Sequence, residues 1–192
     1  MYTRPFVDGN AVYTGSDDGR IYCLDKSTGK LVWAYQTGGA VHSRPFFSDG
    51  SVYVGSADGK VHAIDARTGI VRWTSGTGGE IDSSPTVVDR VVYIGGRDGK
   101  VYAINAMDGS IRWTYRTRDM IHSSPAVSDG IVYVGSRDGN VYALGANTGD
   151  SRWTYTTGGW VDSSPVVAQG LVYVGSGDHK VYALDAADGL IS

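Results

Sequence analysis

The chain has one cysteine and five prolines. It has no apolar run near the roughly 18 to 20 residues of a membrane-spanning helix. Membrane insertion is therefore not expected. The opening Met1-Tyr2-Thr3-Arg4-Pro5 lacks the charged-then-apolar plan of a signal peptide, and the residues do not specify a compartment. A lone Cys23 excludes an intrachain disulfide framework and any site made of paired cysteines. Few prolines beside 28 glycines indicate many tight turns rather than disorder. Positive charge is not in excess either: 17 Lys and Arg against 20 Asp and Glu, interspersed along the chain, leave a net charge of -3 and no basic stripe to hold phosphates, so nucleic acid is not an expected partner. Short-range His or Cys pairing of the zinc type, Asp-x-Asp-x-Asp-Gly calcium loops and Gly-rich phosphate loops are all missing, and no metal or cofactor is expected.

What is present is a repeat. Trp33, Trp73, Trp113 and Trp153 are 40 residues apart, and Pro5, Pro45, Pro85, Pro125 and Pro165 keep the same period. Tyr13, Tyr53, Tyr93, Tyr133 and Tyr173 run in step with them, as do Asp18, Asp58, Asp98, Asp138 and Asp178. The chain reads as one domain over 1–192, written as repeats 1–40, 41–80, 81–120, 121–160 and 161–192.

In residues 41–80 the pattern predicts four strands. Val41 to Phe47 is a first strand ended by Ser48-Asp49-Gly50, and Ser51 to Ser56 is a second. Ala57-Asp58-Gly59 closes a tight hairpin onto a third, Lys60 to Asp65; Ala66-Arg67-Thr68-Gly69 then turns the chain into a fourth, Ile70 to Ser75. Strands such as Ile131-Val132-Tyr133-Val134 are apolar at consecutive positions, so both faces need cover, and neighbouring sheets packed face to face supply it. Only the fourth strand alternates, as in Ile111-Arg112-Trp113-Thr114-Tyr115, which suits an outer edge with one wet face. The expectation is an all-β propeller of about five four-stranded antiparallel blades, the last lacking a complete outer strand.

The run Ala63-Ile64-Asp65-Ala66-Arg67-Thr68-Gly69-Ile70-Val71-Arg72-Trp73 fits Ala-x-Asp-x-x-Thr-Gly-x-x-x-Trp and resembles the tryptophan-docking motif of PQQ-like repeats. The resemblance covers essentially the whole chain. It implies a propeller of the kind found in quinoprotein alcohol dehydrogenases and in the lipoprotein that helps assemble outer-membrane β-barrels, with each Trp packing on the next blade and an extracytoplasmic setting. Family rings usually have seven or eight blades. The family's cofactor pocket commonly uses adjacent cysteines, a calcium ion and a catalytic Asp, and no motif here carries them over.

A fold made of repeats needs its structural residues in every copy, whereas an active site needs a residue once. Asp25, Asp65 and Asp185, with Asn105 and Gly145 in the same slot, therefore read as turn residues, as do the hairpin aspartates. No catalytic residue is assigned. Positions that differ between copies and share one end of the blades form the candidate binding face: Trp160, Arg97, Arg137, Glu80, Met120, Arg44, His42 and His122. Trp160 is the one Trp outside the docking series and the natural anchor. The expected function is a non-enzymatic scaffold or module that binds a protein or peptide, as a monomer or self-associating through the incomplete blade, the chain being either a five-bladed ring or an engineered or excised segment of a larger one. The alternatives are a fragment of a PQQ-dependent quinoprotein dehydrogenase and a lectin-like multivalent binder of small ligands; divergence at positions 40, 80, 120 and 160 argues against the identical pockets the latter needs.

Overall fold

The computed structural model describes residues 4–191, and among them there are nineteen strands in five antiparallel sheets and no helix. The first sheet orders β1 (Phe6–Asp8), β2 (Ala11–Gly15), β3 (Arg20–Asp25) and β4 (Leu31–Gln36) as they follow in the chain. The next three repeat that order: β5 (Phe46–Ser48) to β8 (Val71–Gly76), β9 (Thr86–Val88) to β12 (Ile111–Arg116), and β13 (Ala126–Ser128) to β16 (Ser151–Thr156). The last comprises β17 (Val166–Ala168), β18 (Leu171–Gly175) and β19 (Val181–Asp185), with a single bridge from Leu184 to Ile191 at the edge where a fourth strand would pair. This is the expected propeller architecture, with an incomplete last blade.

One boundary differs from expectation. The first strand of the second repeat was expected over Val41 to Phe47, yet only Phe46–Ser48 pairs with the next strand. Pro45 has no N–H to give a ladder. Val41, fully buried, instead donates its N–H to the carbonyl of Ser16 in the preceding blade at 3.0 Å. Ile81, Ile121 and Val161 make the equivalent bonds, so the stretch before each first strand is a buried crossing between blades.

Turn residues do local work that their chemistry predicts. Asp65 Oδ1 accepts the N–H groups of Arg67 and Thr68, and Asp58 Oδ1 accepts that of Lys60. Asn105 replaces the carboxylate with an amide oxygen that takes the Met107 N–H at 3.1 Å. The hairpin aspartates do more than close turns. Asp58, Asp138 and Asp178 also accept backbone N–H groups of Gly38, Arg118 and Gly158 from the preceding blade, so one carboxylate shapes a hairpin and clasps two blades.

Apolar burial lies between blades. Each of four clusters joins one blade to the next, as where Tyr13, Ile21, Cys23 and Trp33 meet Val52, Val54, Ile64 and Ala66. Trp33 Nε1 donates to the Ala66 carbonyl at 2.9 Å, and Trp73, Trp113 and Trp153 bond Ala106, Ala146 and Ala186 in the same way. The hydroxyl of a Tyr in the blade that supplies the indole shares each carbonyl: Tyr13, Tyr53, Tyr93 and Tyr133. Among the described residues no cluster joins the fifth blade to the first.

Candidate binding face at the inner end of the blades

The crossings before the first strands bring position 42 and its copies together. His42 Nδ1 lies 3.0 Å from Asp82 Oδ1, His122 Nε2 lies 3.7 Å from Asp82 Oδ2, and His122 Nδ1 lies 3.9 Å from Asp162 Oδ1. His, Asp, His and Asp thus alternate across four successive blades, lining a cleft that also includes Arg4, Arg44, Ser84, Ser124 and Ser164. A second course runs beside it: the Arg44 N–H donates to Ser84 Oγ, that of Ser84 to Ser124 Oγ and that of Ser124 to Ser164 Oγ, at 2.8, 2.8 and 3.0 Å. Asp82 is only 6% exposed. Burial pushes its carboxyl up, but hydrogen bonds from His42 and Arg97 outweigh that and hold it below the ordinary carboxylate range.

The hairpins between second and third strands close over this end. Each hands a backbone N–H to the loop before it: Ala57 to Ala40, Arg97 to Glu80, Arg137 to Met120 and Gly177 to Trp160, at 2.8 to 3.0 Å. Arg97 pairs with Glu80 at 2.7 Å and with Asp82 at 2.6 Å. Arg137 forks onto both oxygens of Asp162, which raises its own pKa. Arg44 stacks its guanidinium over Phe6, 5.3 Å from the ring centre. Trp160 is different. Its indole is 58% exposed and lies against Gly177, where a side chain would start 2.5 Å from the ring.

The structure therefore brings His42, His122, Arg97 and Arg137 into one charged network and ties Glu80 to it through Arg97. Met120 contributes its carbonyl to the Arg137 hairpin, and Trp160 stands beside the Gly177 hairpin. Asp82 and Asp162, central to the network, are absent from the sequence-derived set. The signal was the alternation itself: reading His42 and His122 as a pair two repeats apart passes over the carboxylates standing between them in the same register.

A second polar pairing recurs once per blade, exposed in the first blade and part-buried in the others. Tyr22, Tyr102 and Tyr142 donate their hydroxyls to Asp18, Asp98 and Asp138 at 2.6 Å, and Tyr182 does so to Asp178. In the second blade His62 stands in that slot, with Nε2 3.1 Å from Asp58 Oδ2 and Nδ1 3.3 Å from the Tyr35 hydroxyl of the preceding blade. Burial pushes the His62 pKa down against the pull of Asp58.

The cofactor pocket that the resemblance implies does not fit these residues. The single cysteine is buried between Tyr13 and Trp33, its thiol raised by burial, and the Asp82 carboxylate is engaged by His42 and Arg97.

Comparison with known proteins agrees with the fold. The chain is similar over 95% of its length to BamB from Moraxella catarrhalis (23% identity, TM-score 0.84, 60% of that chain) and over 93% to the computationally designed Ika8 protein (23%, 0.85, 56%). It is also similar over its full length to the quinohemoprotein alcohol dehydrogenase ADHIIG from Pseudomonas putida HK5 (22%, 0.82, 41% of that chain). The chain thus spans less than two thirds of these proteins. No curated protein matches it in sequence. The model of the family described as outer membrane protein assembly factor BamB matches residues 2–124 and 116–192. The chain belongs to this family of PQQ-like repeat propellers.

Proposed function

We propose that the chain acts as a non-enzymatic scaffold, one propeller domain over residues 1–192, that holds a protein or peptide partner on the inner-end face. The observation that carries this reading is Trp160. An indole 58% exposed, laid flat on a glycine hairpin, offers a rigid apolar anchor at little conformational expense, and such residues dominate binding energies. His42, Arg97 and Arg137 are already paired with Asp82 and Asp162, which suits a polar rim more than acid and base chemistry. The family description, an assembly factor, points the same way.

The test is a displayed peptide library selected against the full chain. Enriched peptides that lose roughly tenfold or more in affinity on Trp160→Ala, and keep it on substitution of an exposed outer-strand residue such as Val71→Ala, are the expected result. Turnover of an alcohol in a dye-linked assay after addition of PQQ and calcium would overturn it in favour of a dehydrogenase fragment.

A further inference from the structure

The third blade breaks two local rules that the other complete blades keep, and it breaks them side by side. Across the third and fourth strands, Arg20 Nε donates to Gln36 Oε1 at 2.9 Å, Lys60 stands opposite Gly76, and Asn140 Oδ1 accepts the Thr156 hydroxyl at 2.6 Å. In the third blade Lys100 stands directly opposite Arg116. Like charges so placed destabilise a sheet. The loop that follows carries the second break. Its copies read Gly38-Gly39, Gly78-Gly79 and Gly158-Gly159, and at every one of these glycines a side chain would start 2.5 to 3.1 Å from the hairpin aspartate of the next blade. Arg118-Asp119 stands there in the third blade, and the Arg118 N–H keeps the bond to Asp138 that Gly38 and Gly158 make to Asp58 and Asp178.

Both breaks open onto one notch of about 210 Å³, lined by Arg97, Arg116 and Arg118 with Asp98, Asp119 and Met120. Most of its charges are engaged. Glu80 and Asp82 hold Arg97, the Tyr102 hydroxyl donates to Asp98 at 2.6 Å, and Asp119 Oδ1 accepts the Met120 N–H at 2.7 Å. The guanidinium groups of Arg116 and Arg118, both exposed, have no hydrogen bond or ion pair among the described residues. The backbone beneath them is fixed: the Thr117 N–H donates to the Gly99 carbonyl at 2.8 Å, and the Thr117 hydroxyl lies between the Gly99 and Asp119 carbonyls at 2.9 and 2.7 Å. Arg97 is tied to Glu80 of the second blade and Arg118 to Asp138 of the fourth, so the notch is complete within three consecutive blades.

We infer that this notch receives an acidic segment of a protein partner, whose carboxylates meet the guanidinium groups of Arg116 and Arg118 while an apolar side chain beside them rests on Met120. The inference rests on the proposed partner-binding face and names the chemistry that face accepts. A guanidinium presents a planar fork of donors that matches a carboxylate. A carboxylate bound here also offsets the repulsion between Lys100 and Arg116, so the conflict in the free protein becomes a gain in the complex. A local rule broken with no compensation inside the fold is what a binding site leaves in a repeat. The occupant is a short acidic segment rather than a long polyanion. Asp98 and Asp119 border the notch, Glu80 sits on Arg97, and the chain carries a net charge of -3, whereas a nucleic acid needs an extended basic track.

The experiment selects one displayed library of random peptides twice, on the full chain and on its Arg116→Thr, Arg118→Gly double variant, which carries the residues of the fourth blade at these positions and so keeps the fold. Peptides from the native chain are expected to show an excess of Asp and Glu that those from the variant lack. An enriched peptide should lose about tenfold in affinity on the double variant, and about as much when its acidic residues become Asn and Gln. Its affinity should also fall as salt rises from about 0.05 to 0.5 M. Enriched peptides that depend on Trp160 but carry no acidic excess overturn this inference and leave the proposed face standing. Acidic peptides that depend on the two arginines and ignore Trp160→Ala sustain it and remove Trp160 as the anchor. Where no peptide is enriched, fluorescein-labelled hexaglutamate is titrated into the full chain at about 0.05 M salt: saturable binding that the double variant abolishes sustains the inference, and none up to about 1 mM overturns it. A single-stranded oligonucleotide that binds more tightly than the acidic peptide also overturns it. The urea midpoint of Arg116→Thr should match or exceed that of the native chain; a fall would make Arg116 a residue of the fold and sink the argument.

Discussion

Replacing Trp113 by alanine tests the docking account most directly. The indole lies between the third and fourth blades, 6.0 Å from the ring of Tyr93, over Gly149, and donates Nε1–H to the Ala146 carbonyl at 2.8 Å. Removing a buried Trp typically costs about 3 to 5 kcal/mol through lost transfer energy and the cavity left behind. Two features of this site set the value within that range. Trp113 keeps part of its surface in water, which reduces the transfer contribution. The Ala146 carbonyl also accepts the Tyr93 hydroxyl at 3.1 Å, so truncation does not orphan a buried acceptor. The expected loss is therefore near the lower end, about 3 kcal/mol. Trp113→Phe keeps most of the ring and removes the N–H bond, so about 1 to 1.5 kcal/mol of the loss should remain. Equilibrium urea unfolding followed by far-ultraviolet circular dichroism measures both. Because repeat arrays are held by nearest-neighbour contacts, amide exchange should rise first in β9 to β16. A loss for Trp113→Ala within 0.5 kcal/mol of zero, or exchange raised equally in all blades, would refute the reasoning.

Gly149→Ala places a carbon 2.7 Å from the Trp113 ring in a left-handed backbone and should destabilise by about 2 to 4 kcal/mol, whereas Gly29→Ala, with the same backbone and open space, should lose only about 1 kcal/mol; thermal unfolding of the pair separates packing from backbone strain. His62→Tyr restores the hydroxyl-to-carboxylate bond of the other blades. In the native chain the folded-state pKa of His62 is depressed, so the stability linked to it is full above the unfolded value near 6.5 and is lost as pH falls below that; urea midpoints at pH 5 and pH 7.5 should differ less in the variant. Asp82→Asn should cost about 2 kcal/mol at pH 7. The Asp82 contribution is present above the ordinary carboxylate range and disappears as pH falls through its lowered folded value, so native and variant midpoints should converge below about pH 4.

The blade, its turns and its docks were legible because every copy repeats the same chemical need. Asp-x-x-Thr-Gly marks a turn whose carboxylate accepts two backbone N–H groups, and Trp marks an interface whose acceptor lies in the adjacent repeat. The first strands were overextended because an apolar residue such as Val41 reads as strand whether its N–H pairs within the sheet or, as here, with the carbonyl of Ser16 in the preceding blade. The candidate face was harder for a related reason. Variation between copies picks out Arg97 and Arg137 but does not show that their charges are met by Asp82 and Asp162, because those contacts depend on how the crossings converge in space.

The alternation of histidine and aspartate at positions 42, 82, 122 and 162 gives the array a parity. Each network residue has neighbours of the other kind, so blades two and four are interchangeable in this respect, as are three and five. Excising residues 81–120 would set His42 against His122 and leave Asp82 out, whereas excising 81–160 would bring His42 to Asp162 and keep the pairing. Between blades two and five, the propeller can gain or lose internal blades without conflict in this network only two at a time.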